Sequence, residues 1–432
     1  MSIARFSATG DSFMTRRLPG DAAYPDFPAL RDLICSADFA FNNLEFTAHD
    51  QEGAPAAESS GTWAMSEPAV LDDLAFFGFN VFNTANNHSL DYGEGGLTAT
   101  IRHLDERGMA HCGTGKDLAA AAAPVYVEKS GVTAAFIGQS ASFNGFNPAG
   151  PASPEVRGRP GLNPLGVTAL YHVREDHFRS LKEIAAATAV NAQTDYDRAN
   201  GYLPPVPEGR FSFGGLHFVL DEKEYQESLP KEADLRRTLA GVAEAKKRAD
   251  YVFVSVHTHY YDGFDSDEVP RFLKTFSHAV IDAGADGMIG HGPHTLRAVE
   301  IYKGKPIFYS LGNFIFQTET VKVQPAEAYL RCGMKPEDGV RAYMLHRSHG
   351  DTTGFCAIRD IWRSVVADFD MEDGRLRAVR LHPVSLGMGK PWEARGWPHL
   401  SFDGETLKHL ARLSEPFGTE IEIRGGTGYV KL

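Results

Sequence analysis

Short apolar runs alternate with segments of helical apolar spacing through most of the N-terminal part of the chain, and this alternation restricts the fold class most. The predicted strands or strand exits are residues 3–9, 37–46, 78–85 and 109–115, and the predicted helices are residues 67–77 and 94–107. Further strands are predicted over residues 250–257, 285–291 and 305–316, and hairpins over residues 125–138 and 364–384. Strands that alternate with helices indicate a layered α/β domain with some antiparallel pairing.

Two long segments interrupt the alternation. Residues 141–235 are rich in Gly, Pro and Asn and carry one predicted helix near residues 174–190, and residues 318–360 are similarly irregular. Segments of this length inside a compact domain are usually lids, insertions or disordered loops. We therefore expect two insertions in a single domain that covers residues 1–432.

The charge of the chain excludes some classes of partner. The formal net charge is −13, whereas a general nucleic-acid binder presents a basic face to phosphates. No stretch of the sequence is apolar enough for a secretory signal or a membrane span. The four cysteines form no Cys-x-x-Cys pair, which favours free thiols in a reducing compartment. We expect a cytoplasmic protein with no integral membrane segment and no nucleic-acid partner.

Five polar clusters lie at the ends of predicted strands. They are residues 9–16, 42–46, 83–93, 255–263 and 289–300, and they offer Asp11, Glu45, Asn87, His88, His257, His259, His291 and His294. Open α/β sheets place ligands at the carboxyl ends of their strands, so these side chains are expected to converge. Carboxylate, carboxamide and imidazole without thiolate suit Mn²⁺, Fe, Zn²⁺ or Mg²⁺.

Each cluster alone also fits a purely structural role. Asp11 could belong to a turn, Glu45 could cap one, and Asn86 and Asn87 could be turn residues that tolerate left-handed backbone geometry. A histidine on an apolar strand, such as His257, is more often a hydrogen-bonded core residue than a ligand. The argument for a metal site is the occurrence of all five clusters at strand ends, in this order.

The same order of motifs resembles a known family. "GDSFMTR", "NLEF", "ANNHSLDYG", "VSVH" and "GHGPHTLRAVEIYKGKPIFYSLGNFIF" are similar to the motifs of the CapA capsule-biosynthesis family, also called poly-γ-glutamate synthesis proteins. The resemblance covers about residues 1–140 and 245–317. It implies a calcineurin-like metallophosphatase fold, which is a four-layer αββα sandwich, here with long loop insertions.

The resemblance also implies roles for single residues. It implies two divalent metal ions (Mn, Fe or Zn), with Asp11 and His294 on one ion, Asn87, His257 and His291 on the other, and Glu45 as a bridge. His88 would be a catalytic histidine that is not a ligand, and Arg16 would contact substrate. Asn86 and Asp91 would hold the turn or orient His88. The chain departs from the family at "VHTHYYD", where His-Trp-Gly is usual, so His259 is either an additional ligand or a peculiarity of this sequence.

The resemblance implies a metal-dependent hydrolase of a small anionic or glutamyl substrate, acting on a phosphoester or on a γ-glutamyl or other amide bond. The alternative is a non-catalytic accessory protein of capsule biosynthesis that binds an anionic polymer or partner enzymes. Within residues 141–235 we expect Arg157 and Arg159 to bind substrate, because a guanidinium pairs with carboxylate or phosphate in a bidentate way. The alternative for these arginines is a solvated loop.

Overall fold

The computed structural model describes residues 3–20, 24–402 and 404–432. Within this part of the chain the helices are α1 Phe27–Cys35, α2 Val70–Phe77, α3 Gly93–Glu106, α4 Leu118–Ala122, α5 Glu175–Thr188, α6 Ala192–Ala199, α7 Glu232–Ala245, α8 Arg271–Asp282, α9 Ala326–Arg331, α10 Val340–Arg347 and α11 Glu405–Ser414. Short 3-10 helices cover Thr318–Thr320, Pro336–Asp338, Gly354–Ala357, Arg359–Trp362 and Glu415–Phe417.

The strands of the first half are β1 Ala4–Phe13, β2 Phe39–Leu44, β3 Thr47–Ala48, β4 Met65–Ser66, β5 Val81–Asn83, β6 Ala110–Cys112, β7 Thr114–Gly115, β8 Val125–Lys129, β9 Val132–Ser140, β10 Gly161–Leu162, β11 Val167–Val173 and β12 Arg210–Phe213. Those of the second half are β13 Leu216–Leu220, β14 Tyr225–Pro230, β15 Tyr251–His257, β16 Gly287–His291, β17 Leu296–Tyr302, β18 Lys305–Leu311, β19 Asn313–Phe316, β20 Arg363–Glu372, β21 Arg375–Ser385, β22 His399–Leu400, β23 Ile421–Arg424 and β24 Thr427–Val430. The expected mixed α/β class is confirmed.

Two large sheets carry most of these strands. One has the order β23-β24-β21-β20-β1-β2-β5-β6, with β19 also paired to β1 and β22 to β21. The other has the order β17-β18-β16-β15-β9-β8. The strands β1, β2, β5 and β6 run parallel to one another, as do β9, β15, β16 and β18. Parallel neighbours put their carboxyl ends at the same edge of a sheet, and this arrangement prepares the functional site.

The two large sheets pack against each other through aromatic side chains. The ring of Phe6 on β1 packs at a tilt against that of Phe253 on β15, with centroids 4.8 Å apart, and the ring of Phe41 on β2 lies 5.4 Å from that of Phe136 on β9. Along β15, Tyr251 and Phe253 face this interface, whereas the alternate residues Val252, Val254 and Val256 face the other way. Successive residues of a strand point to opposite faces, and both faces of this sheet are buried, so these strands are apolar on both faces.

Helices cover the outer faces of the two sheets. The apolar side chains of α1 and α2 pack on the outer face of the larger sheet, and those of α7 and α8 pack on the outer face of the other. The predicted helices over residues 67–77, 94–107 and 174–190 are confirmed as α2, α3 and α5. The predicted hairpins are confirmed as β8–β9 and β20–β21.

The first insertion is more regular than the sequence indicated. Residues 141–235 were expected to contain one helix among loops, but they also contain α6 and a four-stranded sheet of order β12-β13-β11-β14. The hairpin of β12 and β13 turns at Gly214 and Gly215, both at positive φ, as a tight two-residue turn requires. The strands are mostly half-exposed, so their apolar pattern is weak.

Candidate functional site

Polar residues at the carboxyl ends of both large sheets meet at one place. In the larger sheet, Asp11, Asn43 and Asn83 lie side by side in register on β1, β2 and β5. In the smaller sheet, His257 and His291 end β15 and β16 and are also paired in register. Asn43 Nδ2 lies 3.2 Å from His257 Nδ1, a contact between the two sheets. The strand ends of both sheets therefore form one site.

Two buried carboxylates lie among three imidazoles. Glu45 Oε1 is 3.6 Å from His257 Nε2 and 3.8 Å from His294 Nε2. His259 Nε2 lies 4.0 Å from the same oxygen. Asp11 approaches His257 and His294 at 3.6 Å through its two carboxylate oxygens. We call these five residues the floor of the site.

The floor contains two overlapping groups of ligand atoms. One group is Glu45, His257 and His259, the other is Asp11, Glu45 and His294, and within each group the ligand atoms lie within 4.8 Å of one another. Both groups share Glu45. These residues could hold two divalent cations, and pairs of divalent cations are common in hydrolytic sites.

Unsatisfied buried oxygens provide a test of whether a cation fits here. Both carboxylate oxygens of Glu45 and the amide oxygen Oδ1 of Asn87 are buried and accept no hydrogen bond. Burying a polar group without a partner costs several kcal/mol, and burying an isolated carboxylate costs far more. Oxygen and imidazole donors without thiolate match Mn²⁺, Fe or Zn²⁺, so the residues present fit a divalent cation.

The protonation preferences of the floor agree with this fit. Burial raises the pKa of Glu45 well above its ordinary value, and the nearby Asp11 and Asp91 add to the effect. Burial also opposes ionisation of Asp11, but the contact with His257 and the charges of neighbouring imidazoles lower the pKa of this carboxyl overall. Burial lowers the pKa of His294 to about 4. Neutral imidazole is the form that binds metal.

His291 lies beside the floor but turns its ring nitrogens elsewhere. Its Nε2 is 3.0 Å from the carbonyl oxygen of Thr9, and its Nδ1 is 3.3 Å from Ser255 Oγ. Burial lowers the pKa of His291 to about 4. Of the histidines that the family resemblance implies as ligands, His257 and His294 face the two carboxylates, whereas His291 contacts β1 and β15 in this structure.

Local backbone geometry explains how two of the floor residues, Asp11 and His294, are positioned. A Cβ on Gly10 would lie 1.9 Å from the carbonyl oxygen of Gly312, so only glycine allows β1 to approach that turn and present Asp11. His294 has φ 61°, a left-handed conformation that costs a non-glycine residue about 1–3 kcal/mol. Asn313 holds it: its Oδ1 accepts from His294 Nδ1 at 2.8 Å, and its Nδ2 donates to the His294 carbonyl oxygen at 3.2 Å.

The Asn-Asn-His turn after β5 is held by its own side chains. Asn86 donates to the carbonyl oxygen of Leu44 at 2.7 Å and accepts from the backbone N–H of His88 at 3.0 Å. The ring of His88 contacts Asp91, with Nδ1 at 2.7 Å from Oδ2. Burial raises the pKa of Asp91, although His88 opposes this shift. Asn86 and Asp91 thus both contact His88, Asn86 through the backbone N–H and Asp91 through the ring.

A cavity of about 470 Å³ opens above the floor, in the size range of small-molecule sites. Asn87, His88, His259 and His294 line its inner side. The rest of the lining, which we call the wall, consists of Phe13, residues 60–62, 142–144 and 318–319, Met344, and residues 347–348 and 353–356. Most of the wall thus belongs to the two segments that interrupt the sequence alternation.

The three arginines that were expected to bind substrate do not line this cavity. The Arg16 guanidinium donates to the backbone carbonyls of Glu393 and Arg395. Arg159 donates to the carbonyl oxygen of Pro148 at 3.0 Å. Arg157 lies on the exposed stretch before it. The structure therefore brings together the floor and the Asn-Asn-His turn, but not these arginines.

Two groups of functional residues were not assigned from the sequence. Asn43 Nδ2 donates to Asp11 Oδ1 at 2.7 Å, and Asn83 Nδ2 donates to Asn43 Oδ1 at 2.7 Å. Asn43 belongs to the "NNLEF" cluster, and its place before Glu45 at a strand end was the available signal. Arg347 lines the cavity from the second irregular segment, where the sequence pattern gave no signal.

Comparison with known proteins identifies the family. The profile of the family described as "Bacterial capsule synthesis protein PGA_cap" matches residues 5–318. The chain belongs to this family. The resemblance noted from the sequence motifs is thereby confirmed.

Three relatives illustrate the range of similarity. The "Uncharacterized protein y4sH" of Sinorhizobium fredii is 33% identical over 98% of this chain and 92% of its own length. The "PGA biosynthesis protein CapA" of Bacillus subtilis is 26% identical over 67% of this chain and 56% of its own length. The "Probable polyglutamine synthesis accessory protein Rv0574c" of Mycobacterium tuberculosis is 26% identical over 70% and 62%.

Among the described residues, no helix has the length and apolar character needed to cross a bilayer.

Proposed function

We propose that this member of the PGA_cap family is a cytoplasmic, metal-dependent hydrolase with a four-layer calcineurin-like metallophosphatase sandwich. In this proposal residues 1–432 form one domain, decorated by insertions at about 141–235 and 318–360. The packing of two sheets with helices on both outer faces supports the architecture. The convergence of motifs between residues 9 and 313 on one site supports a single domain.

One observation carries the proposal, which is the state of Glu45. Its carboxylate is fully buried, accepts no hydrogen bond, and lies within 4.0 Å of three imidazoles. A protein that needed this position only for packing would stabilise its fold by placing an apolar residue there. A carboxylate in such a place is explained by a positive charge that binds between the histidines.

In this proposal the two groups of the floor would hold two divalent cations, manganese being a suitable choice. Asp11, Glu45 and His294 would hold one, and Glu45, His257 and His259 would hold the other, with the free amide oxygen of Asn87 as a further donor. Bound divalent cations supply a hydroxide at neutral pH and stabilise charge on the attacked group. The Asn43 amide keeps Asp11 oriented through its 2.7 Å hydrogen bond.

His88 is the residue suited to proton transfer. Asp91 accepts from its Nδ1 at 2.7 Å, and this contact holds the ring of a residue that lines the cavity. With Nδ1 engaged by Asp91, Nε2 is the nitrogen left for proton transfer. A histidine positioned by a carboxylate can protonate a leaving group or stabilise the charge that develops on it. His88 would therefore act directly on the substrate, without binding a cation.

The substrate of this proposal is a small anionic or glutamyl compound that fits the 470 Å³ cavity. The bond broken is a phosphoester or a γ-glutamyl amide. The fold proposed here supports the first, and the printed names of the relatives, which refer to PGA and polyglutamine synthesis, support the second. The name of the Mycobacterium relative also supports a second candidate function, that of a non-catalytic accessory protein.

Metal content after dialysis tests the proposal, with the full-length chain and its Glu45→Gln variant side by side. We expect the unaltered chain to keep divalent metal and the variant to lose it while both melt cooperatively. Manganese-loaded protein is then tested against phosphoesters and γ-glutamyl peptides. Metal retention without turnover of either class would favour the accessory function, and equal absence of metal from both proteins would contradict the metal site itself.

A further inference from the structure

The cavity has one strongly basic side chain in its wall. Of the described residues that line it, only Arg347 is an arginine or a lysine. Arg347 is the last residue of α10 and is exposed. In a chain with a formal charge of −13, an isolated guanidinium inside the cavity that holds the candidate site calls for a physical explanation.

The guanidinium of Arg347 is held in place without an ionic partner. Its Nη1 donates to Thr62 Oγ1 at 2.8 Å, and its central carbon lies 5.5 Å from the centre of the Tyr343 ring. Its Nη2 lies 3.4 Å from the position that a Cβ on Gly61 would take. The ion pairs formed among the described residues include none for Arg347, so none of these residues neutralises its charge.

The acidic residue of the wall is Glu319. It does not neutralise Arg347, because its carboxylate is already paired with another arginine. Glu319 accepts from Arg395 Nη2 at 2.7 Å. Arg395 also pairs with Asp351 at 3.0 Å, and its guanidinium lies over the rings of Trp362 and Trp392, at 5.0 Å and 5.8 Å from their centres. Glu319 is therefore committed to a buried pair, and the guanidinium of Arg347 is left without a carboxylate partner among the described residues.

We propose that Arg347, with Thr62 beside it, is an anion-binding subsite that selects substrates carrying a carboxylate or phosphate group away from the bond to be broken. The inference rests on the proposed hydrolytic function, since it assigns the specificity of the same cavity. A guanidinium presents parallel N–H donors that match a carboxylate or phosphate, and an acidic protein otherwise repels such groups. The subsite lies in the second insertion, whose role the sequence did not indicate.

The competing explanation is that Arg347 only stabilises its own helix. A cation in the last turn of a helix interacts favourably with the helix dipole, and the contact with Thr62 ties α10 to a neighbouring loop. Arg341 provides a matched control, because it lies on the same helix but pairs with Glu393 at 2.9 Å and does not line the cavity. A helical role predicts changes in melting temperature without changes in anion binding.

The experiment measures binding of glutarate and of inorganic phosphate, in separate titrations, to the metal-free full-length chain by calorimetry. Three proteins are compared with the unaltered chain: Arg347→Gln, Arg347→Lys and Arg341→Gln. We expect the unaltered chain and Arg341→Gln to bind at least one anion equally well. Loss of a charge-assisted contact should weaken that binding about 10- to 100-fold in Arg347→Gln, and less in Arg347→Lys, which keeps the charge but not the fork.

The outcomes separate the subsite from the hydrolytic function. Binding of glutarate alone would assign a carboxylate group to the substrate, and binding of phosphate alone would assign a phosphate group. Equal binding by all four proteins, or binding of neither anion by the unaltered chain, would overturn the subsite whatever the metal content. Arg347-dependent anion binding in a chain that never retains metal would leave the subsite standing and contradict only the proposed hydrolysis.

Discussion

The floor and the wall of the cavity are built in different ways. Asp11 and His257 belong to strands at the centre of the two sheets, and a chain of amides from Asn83 through Asn43 fixes Asp11 in place. The wall consists of turns and short helices with little strand structure, and its cation, Arg347, is exposed. A rigid floor suits chemistry that needs fixed distances, whereas an irregular wall can vary without disturbing the sheets.

The largest effect is expected from Glu45→Gln, which attacks the floor directly. The variant should lose bound metal and lower hydrolysis by about 10⁴-fold or more, because metal assistance contributes several kcal/mol and each 1.36 kcal/mol is tenfold. Elemental analysis and initial rates measure the two effects. A variant that keeps metal and turnover would show that Glu45 is only a buried acid.

His88→Asn separates the chemistry at the edge of the floor from metal binding. We expect metal content to be unchanged and turnover to fall about 10²- to 10⁴-fold, the usual contribution of general acid catalysis. Asn87→Ala is the matched comparison at the neighbouring position, because the amide oxygen of Asn87 is proposed to bind a cation. The activity of this variant should fall with its metal content and return in part with excess metal. Near-normal turnover by metal-loaded His88→Asn would show that His88 only holds the turn through Asp91 and takes no part in catalysis.

The amide chain beneath the floor should have a smaller effect. Asn43→Ala removes the hydrogen bond to Asp11 and should weaken metal binding about 10- to 100-fold, as loss of a group that orients a ligand typically does. Asn42→Ala is the control on the same strand, because Asn42 donates to Thr9 and Ser12 instead. Competition titrations with a chelator measure metal affinity. Equal affinity in the two variants would show that metal binding does not depend on the hydrogen bonds from Asn83 through Asn43 to Asp11.

The stability of the metal-free protein should depend on pH through the buried carboxyl of Glu45. Burial raises the pKa of Glu45 above its ordinary 4.5, so between the two values the folded state holds a proton that the unfolded state has released. Stability then falls as pH rises through this window, and the contribution is absent from Glu45→Gln. The melting temperature of the metal-free variant, relative to the metal-free unaltered chain, should therefore increase as pH rises above 4.5. A constant difference would contradict the raised pKa.

The two insertions should be cut by protease before the sheets that carry the floor. We expect the first cuts within residues 145–215 or 318–360, where long exposed stretches lie, and the remaining fragments should stay associated. Mass spectrometry of early fragments locates the cuts, and gel filtration of the nicked protein tests association. Two separable, folded halves would contradict a single domain.

The sequence predicted the floor better than the wall for a physical reason. Asp11, Glu45, His257 and His294 each end or follow an apolar run, and the register of parallel strands brings such positions together. The orientation of His291 depends on its contacts with Thr9 and Ser255, which come from other strands and leave no local signal.

The wall had no such periodic signal. Arg347 reaches the cavity because α10 packs near residues 60–62, a contact between segments 285 positions apart. The sequence pattern instead drew attention to Arg157 and Arg159, whose surroundings of Gly and Pro resemble a binding loop. The four-stranded sheet was not predicted for a similar reason. Its strands are half-exposed, so apolar and polar residues alternate too weakly along them to indicate a strand.

The pairing of β20 with β1 bears on how the chain can be divided. The family match ends at residue 318, yet β20, which begins at residue 363, forms an antiparallel ladder with β1 over Ala4–Ala8. A fragment ended at residue 318 would leave that side of β1 without its partner, and its buried apolar residues would lie along an open edge that invites association with other chains. The family match and the large sheet thus end at different places in this protein, and a useful fragment has to include β20 as well as the matched residues.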